Sequence, residues 1–233
     1  MSIVGRAKQL VSVLEFENNV EPIELSKILI ECPHDTQYVL RMCVSADGNN
    51  LNIPPELKWL QPLVIEALMH QLNAVQVEKQ FCYITVRHGK VKSVTDNEWH
   101  VDGFSSKVPH VPEQNYIWTN SIPTEYTNVS VKFPDDFDPL VHNVNFFLQE
   151  HITEEVKQCK PNVMYCLDPY ILHRRPSEST AKVRTFVRIS FVPIMINDIN
   201  NTQNPLLPQE YTSDGISFRN TLKKYETAEK NVV

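Results

Sequence analysis

A basic surplus is missing from this sequence. The 233 residues include 22 lysines and arginines against 28 aspartates and glutamates, a formal net charge of −6. Binding along a phosphate backbone calls for a positive face or stripe. The densest basic run is only His173-Arg174-Arg175, so a nucleic-acid partner is not expected. Cysteine is scarce and scattered. Cys32, Cys43, Cys82, Cys159 and Cys166 are odd in number and form no C-x-x-C, which argues against a zinc ribbon and against a disulfide framework. They read as reduced thiols of an intracellular protein. No uncharged apolar run approaches the ~20 residues that span a bilayer, and Met1-Ser2-Ile3-Val4-Gly5-Arg6 has no apolar core of the signal-peptide kind. The expectation is a cytoplasmic protein with no membrane partner. Repeats and low-complexity linkers are absent too, so residues 1–233 read as one domain. Its parts are a helix-rich segment over 1–78, a β core over 79–196, and a loop with a short helix over 197–233.

What is present is a change of texture. Pro22 to Leu29 reads as helical and Gln37 to Val44 as a strand. Pro54-Pro55 opens a helix to about Ala74, proline being favourable at a helix start. Leu57, Leu60, Leu63, Val64, Ala67, Leu68 and Leu72 follow helical spacing and form its core stripe. Beyond this helix the chain turns to β-branched and aromatic runs. These cover Gln80 to Arg87, ending at a His88-Gly89 turn, then Trp99 to Phe104, Tyr116 to Ser121, Asn128 to Phe133, Asn162 to His173 and Val183 to Ile196. One helix, Thr153 to Cys159, interrupts them. Asn197 to Pro205 reads as an irregular loop, Ser217 to Tyr225 as a short helix, and Glu229 to Val233 as frayed. The fold class expected is α+β, mainly β: a double-stranded β-helix, a jelly-roll or cupin-like barrel buttressed by N-terminal helices.

The chemistry concentrates in Asn97-Glu98-Trp99-His100-Val101-Asp102-Gly103-Phe104. On a strand, residues i and i+2 project from one face, so His100 and Asp102 can approach one metal together. A motif this short arises easily by chance, and a useful site needs another ligand. His173, at the end of a late strand in Asp168-Pro169-Tyr170-Ile171-Leu172-His173, is the candidate. Two histidines and one carboxylate make a facial triad that leaves three positions open. His34, His70, His88, His110, His142 and His151 lack a carboxylate at strand spacing and read as surface or satisfied side chains. In Lys182 to Pro193 the alternation puts Arg184, Phe186, Arg188 and Ser190 on one face. A buried guanidinium needs a partner and suits a carboxylate bidentately; a structural ion pair or a solvated arginine is the plainer alternative.

These residues resemble the Fe(II)- and 2-oxoglutarate-dependent dioxygenases, whose pattern is H-x-D, a distal His, then a basic residue on the next barrel strand. Here it reads His100-Val101-Asp102, His173, then Arg184 and Arg188, eleven and fifteen positions on. The resemblance covers roughly residues 80 to 193, and the arginine spacing is similar to that of the taurine dioxygenase branch. It implies Fe(II) on His100, Asp102 and His173, with 2-oxoglutarate and O2 as cosubstrates and ascorbate as a supporting reductant. It also implies Arg184 as first choice for the 2-oxoglutarate anchor. Arg188, with Ser190 in an R-x-S like that of another branch, is the second. Thr119 and Tyr83 are candidates to complete the pocket, each with barrel packing as its plainer reading. An intact Asp102 favours hydroxylation or oxidative demethylation over halogenation. The nucleic-acid demethylases space two arginines six apart, against four here, so a small polar metabolite or an amino-acid side chain is the expected substrate. A metal-dependent hydrolase using the same ligands, or a non-catalytic cupin-like binding protein, remains the reading from another class.

Overall fold

Two long alternating runs become the spine of a large sheet. Strands β3 (Phe81–Lys90) and β9 (Val183–Val192) pair antiparallel from Phe81 opposite Val192 to Lys90 opposite Val183. The computed structural model describes residues 21–47, 50–74, 80–90, 98–102, 113–129, 131–138, 141–176, 182–193, 195–196 and 198–208. With β1 (Ile23–Lys27), β2 (Gln37–Ser45), β4 (Gln114–Thr119) and β7 (Val163–Leu167), the sheet runs β1-β7-β4-β9-β3-β2, every pair antiparallel. A second sheet has three short strands, β5 (Glu125–Thr127), β6 (Lys157–Gln158) and β8 (Leu172–Arg174), in the order β6-β5-β8. The described residues are thus mainly β, in two antiparallel sheets, with few helices.

Strand alternation decides which face is covered. Cys82, Ile84 and Val86 of β3, Tyr116 and Trp118 of β4, and Val187, Ile189 and Phe191 of β9 share one face. Leu57, Leu60, Leu63, Val64 and Ala67 pack onto it from the 3-10 turn Pro55–Leu60 and helix α1 (Gln61–Ala74). Proline at 62 has no N–H to give to the carbonyl of residue 58, so the helix starts as a tighter turn and continues as α from Gln61. The predicted stripe is core except at its end, where Leu72 is 47% exposed. Leu60, fully buried, sits at the junction of turn and helix. Leu60→Ala is expected to cost about 2–5 kcal/mol, read as a lower urea midpoint at unchanged slope.

The structure corrects several local expectations, some of them because long-range pairing overrode a local signal. Pro22 to Leu29 is not a helix: Ile23 to Lys27 pairs with β7, and Ile28 donates its N–H to the Asn162 carbonyl at 2.8 Å. Trp118 Nε1 donates to the Ile28 carbonyl, and Leu29 is 73% exposed. Gly89 does not end β3; it lies inside the strand opposite Arg184 at φ +147°, a conformation glycine alone adopts freely. Asn128, Val129 and 131–133 form no strand; Glu125–Thr127 does, and Phe133 packs on Phe137 and Phe147. No helix covers Thr153 to Cys159, where Lys157–Gln158 joins β5 and the Cys159 N–H reaches the Thr124 carbonyl. The helix of this region is α2 (Val144–Glu150), missed in the sequence and capped by the Asn143 side chain, which accepts from the Phe146 N–H.

Asn162 to His173 is two strands, not one. The Asp168 carboxylate accepts the Tyr170 N–H at 2.9 Å in a short side-chain-mediated turn, and there the chain passes from the large sheet to the small one. Residues 198–208 form an irregular loop, pinned to β2 where the Thr202 N–H meets the Leu40 carbonyl and Asn204 Nδ2 meets that of Cys43. The short helix expected at Ser217 to Tyr225 and the frayed end at Glu229 to Val233 lie outside the described residues. Among the described residues no helix is long and apolar enough to cross a membrane, and all five cysteines are free.

Candidate metal centre

Trp99 to Phe104 does not form a regular strand in its described part. A single antiparallel bridge joins His100 to His173 on β8, each backbone N–H meeting the other's carbonyl at 3.0 Å. Directly opposed residues hold their side chains side by side, and the two imidazole centroids are 4.4 Å apart. Flanking groups fix this register. Trp99 is buried under the Arg174 guanidinium, 4.4 Å above its ring, while Arg174 Nε donates to Glu125 on β5 at 2.7 Å. Val101, fully buried, turns the other way among Val144, Phe147 and Leu148 of α2. Its N–H donates to Asn145 Oδ1, so the unpredicted helix holds the residue between the two candidate ligands. Asp102 thereby returns to the side of His100. One potential ligand atom from each of His100, Asp102 and His173 lies within 4.8 Å of the others.

The protonation states are set by neighbours. His100 Nδ1 contacts the Glu98 carbonyl at 3.0 Å and His173 Nδ1 the Ile171 carbonyl at 2.9 Å. A carbonyl oxygen only accepts, so both Nδ1 atoms carry the proton and both Nε2 lone pairs are left for a metal. Burial, with His173 beside it, brings the His100 pKa down to about 4. Burial pushes Asp102 up, but Arg188, His173 and His100 together outweigh it and hold its carboxyl well below the usual range. Arg188 Nη1 donates to Asp102 Oδ1 at 3.1 Å. Asn115 Nδ2 donates to Oδ2 at 2.9 Å, and Ser190 Oγ donates to Asn115 Oδ1 at 2.5 Å. Metal binding requires neutral imidazoles and an ionised carboxylate, so the donor set fits a divalent cation.

This has a pH signature in the metal-free protein. Between pH about 6.5 and about 4, the unfolded chain binds a proton at His100 that the folded chain does not. Stability therefore falls as pH drops through that window. Asp102 acts in the same direction at lower pH, its stabilising charge being lost only as pH falls below the unfolded value of 3.8. Thermal melts at pH 7 and pH 5 should separate, and His100→Gln should narrow the gap; an equal gap in the variant would contradict this account.

The proposed cosubstrate residues fall in different places. Arg184 is buried; its Nε donates to the Ile122 carbonyl at 2.9 Å and its guanidinium lies over Phe186. Thr119 is near it, its hydroxyl donating to the Ser121 carbonyl in the same turn. Arg188 is not beside Arg184 but on Asp102, and its buried Nε has no hydrogen-bond partner among the described residues. Ser190 acts through Asn115 rather than facing the candidate ligands directly. Tyr83 is taken up in packing: its hydroxyl accepts the Ile196 N–H at 2.7 Å and it is buried with Cys43, Val192 and Ile196. Sequence reading missed Asn115. The signal for Asn115 was available, since it is a polar residue in phase with Thr119 on a strand whose centre, Tyr116 to Trp118, is aromatic and apolar.

No protein-family profile matches the chain, and no curated protein matches it. Solved structures do. AviO1 from Streptomyces viridochromogenes is 14% identical at TM-score 0.40, covering 87% of each chain. A 2OG-Fe(II) oxygenase family oxidoreductase from Burkholderia pseudomallei is 14% identical at TM-score 0.40, over 88% of this chain and 93% of its own. EvdO2 from Micromonospora carbonacea, complexed with 2-oxoglutarate, is 13% identical at TM-score 0.38, over 74% of this chain and 83% of its own. Likeness of this degree is one of outline and speaks to neither substrate nor mechanism.

Proposed function

We propose that the chain is an Fe(II)- and 2-oxoglutarate-dependent oxygenase of the double-stranded β-helix fold, with His100, Asp102 and His173 as the metal ligands. The observation that carries this reading is the convergence of three ligand atoms within 4.8 Å, with both imidazoles turned Nε2-first by backbone carbonyls. Bound Fe(II) with 2-oxoglutarate and O2 supplies an oxidant for an unactivated C–H bond, 2-oxoglutarate leaving as succinate and CO2. The protein's share is placement. Asn115 and Arg188 hold the Asp102 carboxylate ionised and fixed in rotamer. The backbone bridge holds the two imidazoles together. Arg184, a buried cation on β9 that packs against the turn after β4 through the Ile122 carbonyl, takes the distal carboxylate of 2-oxoglutarate, with Thr119 lining the same end. The unsatisfied Nε of Arg188 supplies a further donor for an anionic group beside the metal. An intact Asp102 favours hydroxylation or oxidative demethylation. The acidic balance favours a small polar metabolite or an amino-acid side chain over nucleic acid, and the free cysteines fit a cytoplasmic enzyme.

The test is succinate formation by protein reconstituted anaerobically with Fe(II), then given 2-oxoglutarate, ascorbate and air. Slow turnover without added substrate is expected. A fully metal-loaded protein that makes no succinate would return the chain to the hydrolase or non-catalytic reading.

A further inference from the structure

Arg41 stands out on β2. It is a non-glycine residue at φ +41° within a strand, at a register shift where the pairing passes from Val39 opposite Val86 to Met42 opposite Ile84. Such a conformation is strained, and bulges of this kind re-aim side chains, often beside active sites. Val39, Met42 and Val44 pack under the helix, whereas Arg41 reaches Glu113, its Nη2 lying 2.7 Å from Oε1 and 3.0 Å from Oε2. The Glu113 side chain is only 4% exposed, while that of Arg41 is 27% exposed. A buried ion pair seldom pays for itself in stability, so strain and desolvation are both spent on holding this guanidinium in place.

Its position is fixed by register. The Arg41 N–H donates to Thr85 Oγ1 at 3.1 Å, Thr85 is opposite Arg188 on β9, and Arg188 is bonded to Asp102. Arg41 and Arg188 thus lie in one row across β2, β3 and β9, two strand spacings or roughly 10 Å apart, with the small Thr85 between them. Glu113, just before β4, is two residues from Asn115, the β4 partner of Asp102, and so in phase with it. Arg184 lies four residues before Arg188 on β9, so the Arg41 end is separate from the proposed 2-oxoglutarate end. Arg41 makes no other hydrogen bond or ion pair among the described residues, and its charge also acts on Asp102.

We infer that the Arg41–Glu113 pair is the recognition site for the carboxylate of the oxidised substrate, which is therefore a small organic acid or amino acid. The inference rests on the function proposed above. Arg41 offers its remaining N–H donors to a planar carboxylate, for which a guanidinium fork is suited. Glu113 keeps the cation fixed and paired before substrate arrives. Arg41 then sets the distance between that carboxylate and the oxidised carbon.

The experiment is calorimetric and uses protein loaded with redox-silent Zn(II). Titration with 2-oxoglutarate comes first. At saturating 2-oxoglutarate, amino acids and short organic acids are then titrated, each as the free acid and as its primary amide. Acids are expected to bind and their amides to bind at least tenfold more weakly. Arg41→Gln combined with Glu113→Gln, which removes both charges without stranding a buried carboxylate, should weaken acid binding at least tenfold. Arg41→Lys should retain part of it. Failure of 2-oxoglutarate to bind the wild-type protein overturns both readings. Normal 2-oxoglutarate binding, with acids and amides bound equally or acid binding indifferent to the double substitution, overturns this inference alone.

Discussion

Asp102→Ala is expected to end succinate formation and to weaken Fe(II) binding by more than the ~10–100-fold typical for loss of an outer-shell partner. The loss goes beyond one ligand. Asp102 is the carboxylate that meets the Arg188 guanidinium at 3.1 Å, and the Asp102 and Arg188 side chains are 9% and 17% exposed. Taking away one member of such a pair strands the other in a poorly solvated site, at a cost of about 3–5 kcal/mol. The variant should therefore melt earlier even without metal. Adding Arg188→Met to Asp102→Ala should recover much of that stability and none of the turnover. A double variant as unstable as the single one would show that Arg188 is held by something other than Asp102. Unaltered metal affinity in the single variant would remove Asp102 from the ligand set.

Arg184→Ala should raise the half-saturating 2-oxoglutarate concentration by roughly 30-fold or more, the scale of losing one partner of a buried charge pair. Arg188→Ala should act differently. Its contact with Asp102 places it beside a candidate ligand, so its loss should lower metal affinity and turnover while moving the 2-oxoglutarate requirement much less. The measurement is succinate formation against 2-oxoglutarate at saturating Fe(II). The expectation is sharp because both arginines lie on one face of one strand, four residues apart, yet have different partners. Equal shifts in the two variants would remove the distinction between anchor and metal-side arginine.

Strand texture was legible where a run was long and its pairing extended. β3 and β9 announce themselves by alternation, and the same alternation put Arg184, Phe186, Arg188 and Ser190 on one face. The helix stripe from Leu57 to Ala67 was equally readable, since five of its residues meet the sheet. Short elements were not. Ile23 to Lys27 has helix-compatible spacing, and only the edge of β7 makes it a strand. Lys157–Gln158 carries a cap-like signal upstream, and only β5 makes it extended. Of the site, the three candidate ligands are readable because strand spacing and residue chemistry coincide. Their support is not. Asn115 holding Asp102, Asn145 holding Val101 and Arg41 reaching Glu113 join segments far apart in the chain, and no local pattern encodes such meetings.

The reciprocal bridge between His100 and His173 has a consequence for how this site tolerates change. The two backbones are joined through N–H and carbonyl groups that every residue except proline possesses, so the pairing is indifferent to the side chains it carries. Either histidine can be exchanged and the opposing positions still face each other at ladder distance. The geometry belongs to the scaffold and the chemistry to two interchangeable attachments. Such a frame would accept a different donor set without being refolded around it.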